Sequence, residues 1–171
     1  MRLGCRLLPM FEAGMSVRFL SAWLWLALAA AALPPALRAN PASERLEVSH
    51  ALAQMGAAAN AHDVEGHVGF YAHDPQVMLV YDGEAIVGWE AIRDKQREWW
   101  QGGKTDVVYT VQGKPDFRVL SPTLVMSTLL MKSRRTTAAG EVREGSFAVS
   151  SLWQKRAEGW RVIYSHESST H

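Results

Sequence analysis

Residues 60–88 constrain the fold of this chain more than any other stretch. A polar break at Asn60, Ala61 and His62 ends one helix. Asp63 can cap the next, because its carboxylate accepts the free N–H groups of a first helical turn. Val64, His67, Val68 and Tyr71 recur at steps of three and four, which gives that short helix one apolar face. Asp74 and Pro75 break it, and Val77, Met78, Leu79, Val80 and Tyr81 form an apolar run of strand length. Asp82 and Gly83 make a tight turn, Ala85, Ile86 and Val87 a second strand, and Gly88 opens another helix.

The flanks extend this order. Pro41 and Ser43 precede a long helix with Val48, Ala51, Leu52, Met55, Ala58 and Ala59 at helical spacing. The helix over 88–100 carries Trp89, Ile92, Trp99 and Trp100 on one side, a large aromatic surface that either packs on a sheet or stacks on a ligand. Strands follow over 107–111, 117–120, 123–133, 141–155 and 160–166, with a turn at Gly113, Lys114 and Pro115 between the first two. On the fourth, Phe147, Val149, Ser151 and Trp153 share a face. On the last, Trp160, Val162, Tyr164 and His166 share one. Helices first and antiparallel strands last is an α+β pattern, with helices gathered on one face of a sheet.

Charge is uninformative about partners except at the N-terminus. The net charge is +1 and the pI about 8.0. Residues 1–39 hold four of the basic side chains and one acid, so the remainder is slightly acidic. Such a body makes no electrostatic case for nucleic acid or for an anionic membrane surface. Arg18 precedes a continuously apolar run over 19–33, closed by Pro34 and Pro35, with small residues at Ala36 and Ala39. This is the three-part pattern of a secretory signal, starting at Met1 or Met15. The expectation is a signal peptide over 1–39, a domain over 40–171, export to the periplasm or medium, and no stable membrane association once the leader is removed. An uncleaved anchor is the alternative. The single cysteine, Cys5, lies in the leader, so the body has neither disulfide nor thiol chemistry.

Asn60, Asp63, Gly66, Tyr71, Ala72, Asp74, Val77, Gly88, Ala91, Ile92 and Arg93, in this order, resemble the nuclear-transport-factor-2-like superfamily, with its SnoaL-like and ketosteroid-isomerase-like members. The resemblance covers about residues 42–168. It implies a cystatin-like, cone-shaped α+β barrel, with helices packed on a curved antiparallel sheet around a cavity, and a homodimer. Trp153, Gly159, Trp160, Val162, Tyr164, His166 and Ser168 further resemble the C-terminal hairpin of the calcium/calmodulin-dependent kinase association domain. The arginines that hold carboxylates in that hub correspond here to Ser151 and Glu167, neither of which is a cation.

The resemblance bears on chemistry mainly by what is missing. The ketosteroid isomerase base falls on Leu79, its tyrosine on Met55 and its protonated acid near Ser151, and none of these is ionisable: leucine cannot take a proton and methionine cannot donate a hydrogen bond. Asp82 would reach the base position only by a three-residue slip. His62, His67 and His73 cluster without the spacing of metal ligands, so no metal is expected, and nothing calls for a cofactor. The body has no G-x-S-x-G and no phosphate-cradling glycine loop. His166 is either a structural histidine or a pocket group able to act as acid or base. The reading is a domain that binds a small, largely apolar or aromatic molecule, lined by Tyr81, Trp99, Trp153, Tyr164 and His166. Its alternatives are an assembly module without a ligand, or an enzyme of non-isomerase type using His166.

Overall fold

A computed structural model describes residues 40–169. The expected leader over 1–39 lies outside them. Helix α1 (Pro41–Asn60) starts at Asn40, whose side chain accepts from the Ala42 N–H at 3.3 Å, so Pro41 and Ser43 belong to the first turn. Helix α2 (Val64–Val68) is capped by Asp63 as expected, with the carboxylate 3.0 Å from the Gly66 N–H. Strands β1 (Met78–Tyr81) and β2 (Glu84–Val87) form a hairpin. Its turn residues Asp82 and Gly83 both have positive φ, 45° and 89°, the backbone form that matches the twist of paired strands. Helix α3 (Trp89–Trp99) follows Gly88, which sits at φ 94°. A short 3₁₀ turn at Gln101–Gly103 leads to the long strands.

These are β3 (Val108–Ser121), β4 (Leu124–Thr136), β5 (Val142–Arg156) and β6 (Gly159–Ser169). The sheet order is β2-β1-β6-β5-β4-β3. The architecture is α+β, with two corrections to the expected sheet. It is mixed, because β1 runs parallel to β6 while every other pair is antiparallel. It is also open, with β2 and β3 as its edges, so the barrel is not closed. The two strands expected over 107–120 are one. Residues 113–115 bulge out of register between the Gln112–Leu130 and Asp116–Thr128 pairs, and an unbroken β4 carries the ladder past them. A bulge of this kind bends and twists the strand instead of reversing it.

The core lies between the helices and the inner face of the sheet. Val48 and Met55 from α1, Val68 from α2, Ile92 from α3, and Leu79, Val125, Trp153 and Val162 from the strands form one apolar cluster. Trp153 is fully buried there, and its indole N–H donates to Ser127 Oγ at 2.9 Å, which satisfies its one polar atom. A second cluster joins Ala59, Trp100 and Val107.

Candidate functional site

Apolar side chains do not fill the whole space between helices and sheet. A cavity of about 970 Å³ remains, bounded by α1, α3 and the inner faces of β3 to β6. Its helical side is Leu52, Met55 and Ala59 of α1 with Trp99 and Trp100 at the end of α3. Val111, Leu129, Met131, Phe147 and Val149 are its apolar sheet side. Polar residues line it toward the β4–β5 turn (Ser133, Arg135, Arg143, Glu144 and Ser146) and, as a second group, where β1, β5 and β6 meet: Tyr81, Ser151, Ser165, Glu167 and Ser169, with Tyr71 and His67 facing them.

A one-residue irregularity in β6 selects those groups. Leu152 pairs with Tyr164, but the next residue, Trp153, pairs with Val162, which leaves Ile163 as an extra residue in β6. An extra residue reverses the facing of everything beyond it, since side chains alternate with a period of two. Trp160 and Val162 therefore point into the core, whereas beyond the bulge Ser165, Glu167 and Ser169 point inward. Tyr164 and His166 are exposed on the outer side, and neither lines the cavity. The expected facing of Trp160, Val162, Tyr164 and His166 on one side is corrected by this bulge.

Of the five site residues expected from the sequence, the fold brings Tyr81 and Trp99 together on the cavity wall, ring centroids 4.7 Å apart. Trp153 is core, behind the wall. The three clustered histidines have separate tasks. His62 Nε2 donates to the Val107 carbonyl at 2.7 Å, His67 Nδ1 to the Met55 carbonyl at 3.2 Å, and the His73 ring stands 4.4 Å from that of Trp89. Among the described residues no group of acids, histidines or cysteines is arranged to hold a metal ion. Leu79, at the position of the isomerase base, is core, while Met55 and Ser151 line the cavity.

Glu167 is the group that alternation alone hides. Burial, and secondarily the charge of Asp82, push its carboxyl up to about 7. Asp82 is held in place from β6 itself: its carboxylate accepts from the Ser169 N–H at 2.8 Å and from Ser169 Oγ at 3.0 Å. Burial also raises the phenols of Tyr71, Tyr81 and Tyr109, and all three feel the Glu167 carboxylate. Burial likewise holds His67 neutral, down to about 4. Ser151 and Ser165 bond to each other at 3.0 Å, and Trp100 donates to the Tyr109 hydroxyl at 3.1 Å. The cavity thus joins apolar and aromatic walls to one carboxyl that changes charge near neutral pH and to several neutral hydroxyls.

No family model matches the chain, and no curated protein is similar to it in sequence. Solved structures are similar in fold. A nuclear transport factor 2-like superfamily protein from Salmonella enterica serovar Typhimurium LT2 superposes with a TM-score of 0.67 at 15% identity, over 77% of this chain and 94% of that one. A ketosteroid isomerase-like protein from Erwinia carotovora atroseptica reaches 0.61 at 19% identity, over 74% and 95%. A candidate calcium/calmodulin-dependent protein kinase II association domain from Xanthomonas campestris reaches 0.61 at 17%, over 72% and 86%. With helices on one face of an open six-stranded sheet and a cavity between them, the chain has the fold of the nuclear transport factor 2-like superfamily.

Proposed function

We propose that this protein is an exported domain that binds one small, largely apolar or aromatic molecule in the cavity between its helices and sheet. The observation that carries the reading is the cavity itself, about 970 Å³, with aromatic and aliphatic walls and polar residues grouped at the β1–β5–β6 junction and toward the β4–β5 turn. That make-up and size are usual for small-molecule sites. Tyr81 and Trp99 supply the stacking surface. Titration with the uncharged fluorophore N-phenyl-1-naphthylamine tests it. Saturable enhancement of its emission is expected, weakened about tenfold in Trp99→Ala, since an aromatic contact removed from a binding site costs ~1–2 kcal/mol. Emission that rises linearly without saturating would overturn the reading.

A second reading, catalysis, has an observation of its own: a cavity carboxyl that titrates at about 7 is poised for general acid–base work. The proton would move through Glu167, because His166 is exposed away from the cavity and does not reach a molecule held inside. Δ5-3-ketosteroid isomerisation is not the expected reaction, with Leu79 and Met55 in the places of its base and tyrosine. Enone absorbance should not grow above the buffer rate.

A further inference from the structure

The charge on the cavity wall narrows the class of ligand, on the premise of the preceding section that the cavity binds a small molecule. Glu167 lines the cavity, yet among the described residues nothing hydrogen-bonds to its carboxylate and no cation pairs with it. The groups around it are neutral or negative. Tyr81, its direct neighbour across the parallel β1–β6 pair, and Asp82 come from the β1–β2 hairpin. Tyr71 comes from the segment after α2, Tyr109 from β3, and His67, neutral above about 4, from α2. The other charged side chains on the wall are Arg135, Arg143 and Glu144 at the far end of the β4–β5 hairpin. Val149 is the residue of β5 that pairs with Glu167, and Arg143 lies six residues further along. At ~3.4 Å per residue that is roughly 20 Å, too far to neutralise it.

A carboxylate without a partner in a poorly solvated place is unfavourable until a cation reaches it. The rings beside it favour the same kind of group, since aromatic faces attract cations. Tyr81 is the neighbour of Glu167 across the β1–β6 pair, and the Trp99 ring stands 4.7 Å from that of Tyr81 on the same wall. We propose that the cavity takes an amine: a molecule with an aromatic or aliphatic body whose protonated or quaternary nitrogen seats on the Glu167 carboxylate, against the rings of Tyr81 and Trp99. An anion at the distant arginines would forgo both of these contacts.

Seating a cation requires Glu167 to be ionised, so binding below neutral pH must expel its proton and affinity falls there. Calorimetric titration of the folded domain with three probes tests this. The probes are benzyltrimethylammonium, its uncharged isostere neopentylbenzene, and 3-phenylpropionate. Benzyltrimethylammonium has no proton to lose, so any pH dependence is the protein's. At pH 8 it should bind about tenfold tighter than either other probe, and about tenfold more weakly at pH 5.5 than at pH 8. Glu167→Gln should bind the cation no better than the isostere and show no change between the two pH values, with a melting temperature at or above wild type. Tighter binding of the uncharged or anionic probe, or a cation affinity unchanged in Glu167→Gln, overturns the amine assignment and leaves the cavity reading standing. Binding of none of the three overturns both.

Discussion

Glu167 and His67 face the same cavity with opposite debts to solvent. Glu167 holds its proton up to about 7 against an ordinary 4.5, because burial disfavours its charge. Its unfolded form ionises first, so stability falls as pH rises from 4.5 and the full loss is reached above 7. His67 is displaced downward, from 6.5 to about 4, so it charges first in the unfolded chain. Stability therefore falls as pH drops below 6.5 and the full loss is reached below 4. Between 4.5 and 6.5 the two effects oppose each other and flatten the stability profile. Glu167→Gln removes one of them. That variant should melt higher than wild type at pH 8, by an amount worth on the order of 2 kcal/mol. Its melting temperature should also climb steeply from pH 4.5 to 6.5 where the wild type changes little. Thermal melts at half-unit steps of pH check both; a variant profile parallel to wild type would refute the account.

At the scale of elements, α1 is tied to the β5–β6 hairpin through one carboxylate. Glu47 accepts from Lys155 Nζ at 2.7 Å, from the Trp160 indole at 2.8 Å and from Ser43 Oγ at 3.2 Å. These bonds, the lysine first, hold its carboxyl below the ordinary range. Their contribution is present above the ordinary value and is lost as pH falls through the lowered one. The side chains are about two-fifths exposed, so screening trims what they are worth. Glu47→Gln should cost ~0.5–1 kcal/mol at pH 7, less in 1 M salt, read as a shift in the urea midpoint at constant slope. The β6 bulge works at the same scale. Ile163 is the residue that puts Glu167, and not His166, inside.

On the scale of the whole molecule, the outer face of the sheet has no cover among the described residues. Leu130 and Leu120 are exposed by more than half, and Tyr164 stands in register with Leu152 and Met126 across three strands. Contiguous apolar surface of this kind marks interfaces. We propose that a second copy covers it, giving a homodimer. Light scattering at micromolar concentration should report twice the chain mass, and Leu130→Lys, which leaves the inner face untouched, should halve it. A wild-type monomer would exclude this arrangement. The proposed export has its own measurement: intact mass of protein from the native host should place the N-terminus near Asn40, whereas a soluble chain retaining residues 1–39 would argue against it.

The local order from Asn60 to Gly88 was legible because each signal there is short-range. A capping carboxylate three residues before Gly66 and an Asp-Gly turn act on their own neighbours, whatever the rest of the chain does, whereas the short helix ends at Val68, before the break expected at Asp74 and Pro75. The α+β class followed from the same periodicities. The cavity wall was legible only in part. Tyr81 and Trp99 lie on elements whose facing local alternation sets, and both reach the wall. Trp153 also has the facing the alternation implies, but depth along a strand depends on what packs above it, and there Trp153 joins the core cluster instead of the wall. Facing beyond residue 163 turns on where β6 slips against β5, a pairing between strands that no window along one of them contains. The parallel seat of β1 beside β6, which sets Tyr81 next to Glu167, joins residues more than eighty positions apart. Residue types and short periods were enough to determine the elements. The charge inside the cavity was decided by one inter-strand register, because shifting a strand by one residue exchanges its two faces.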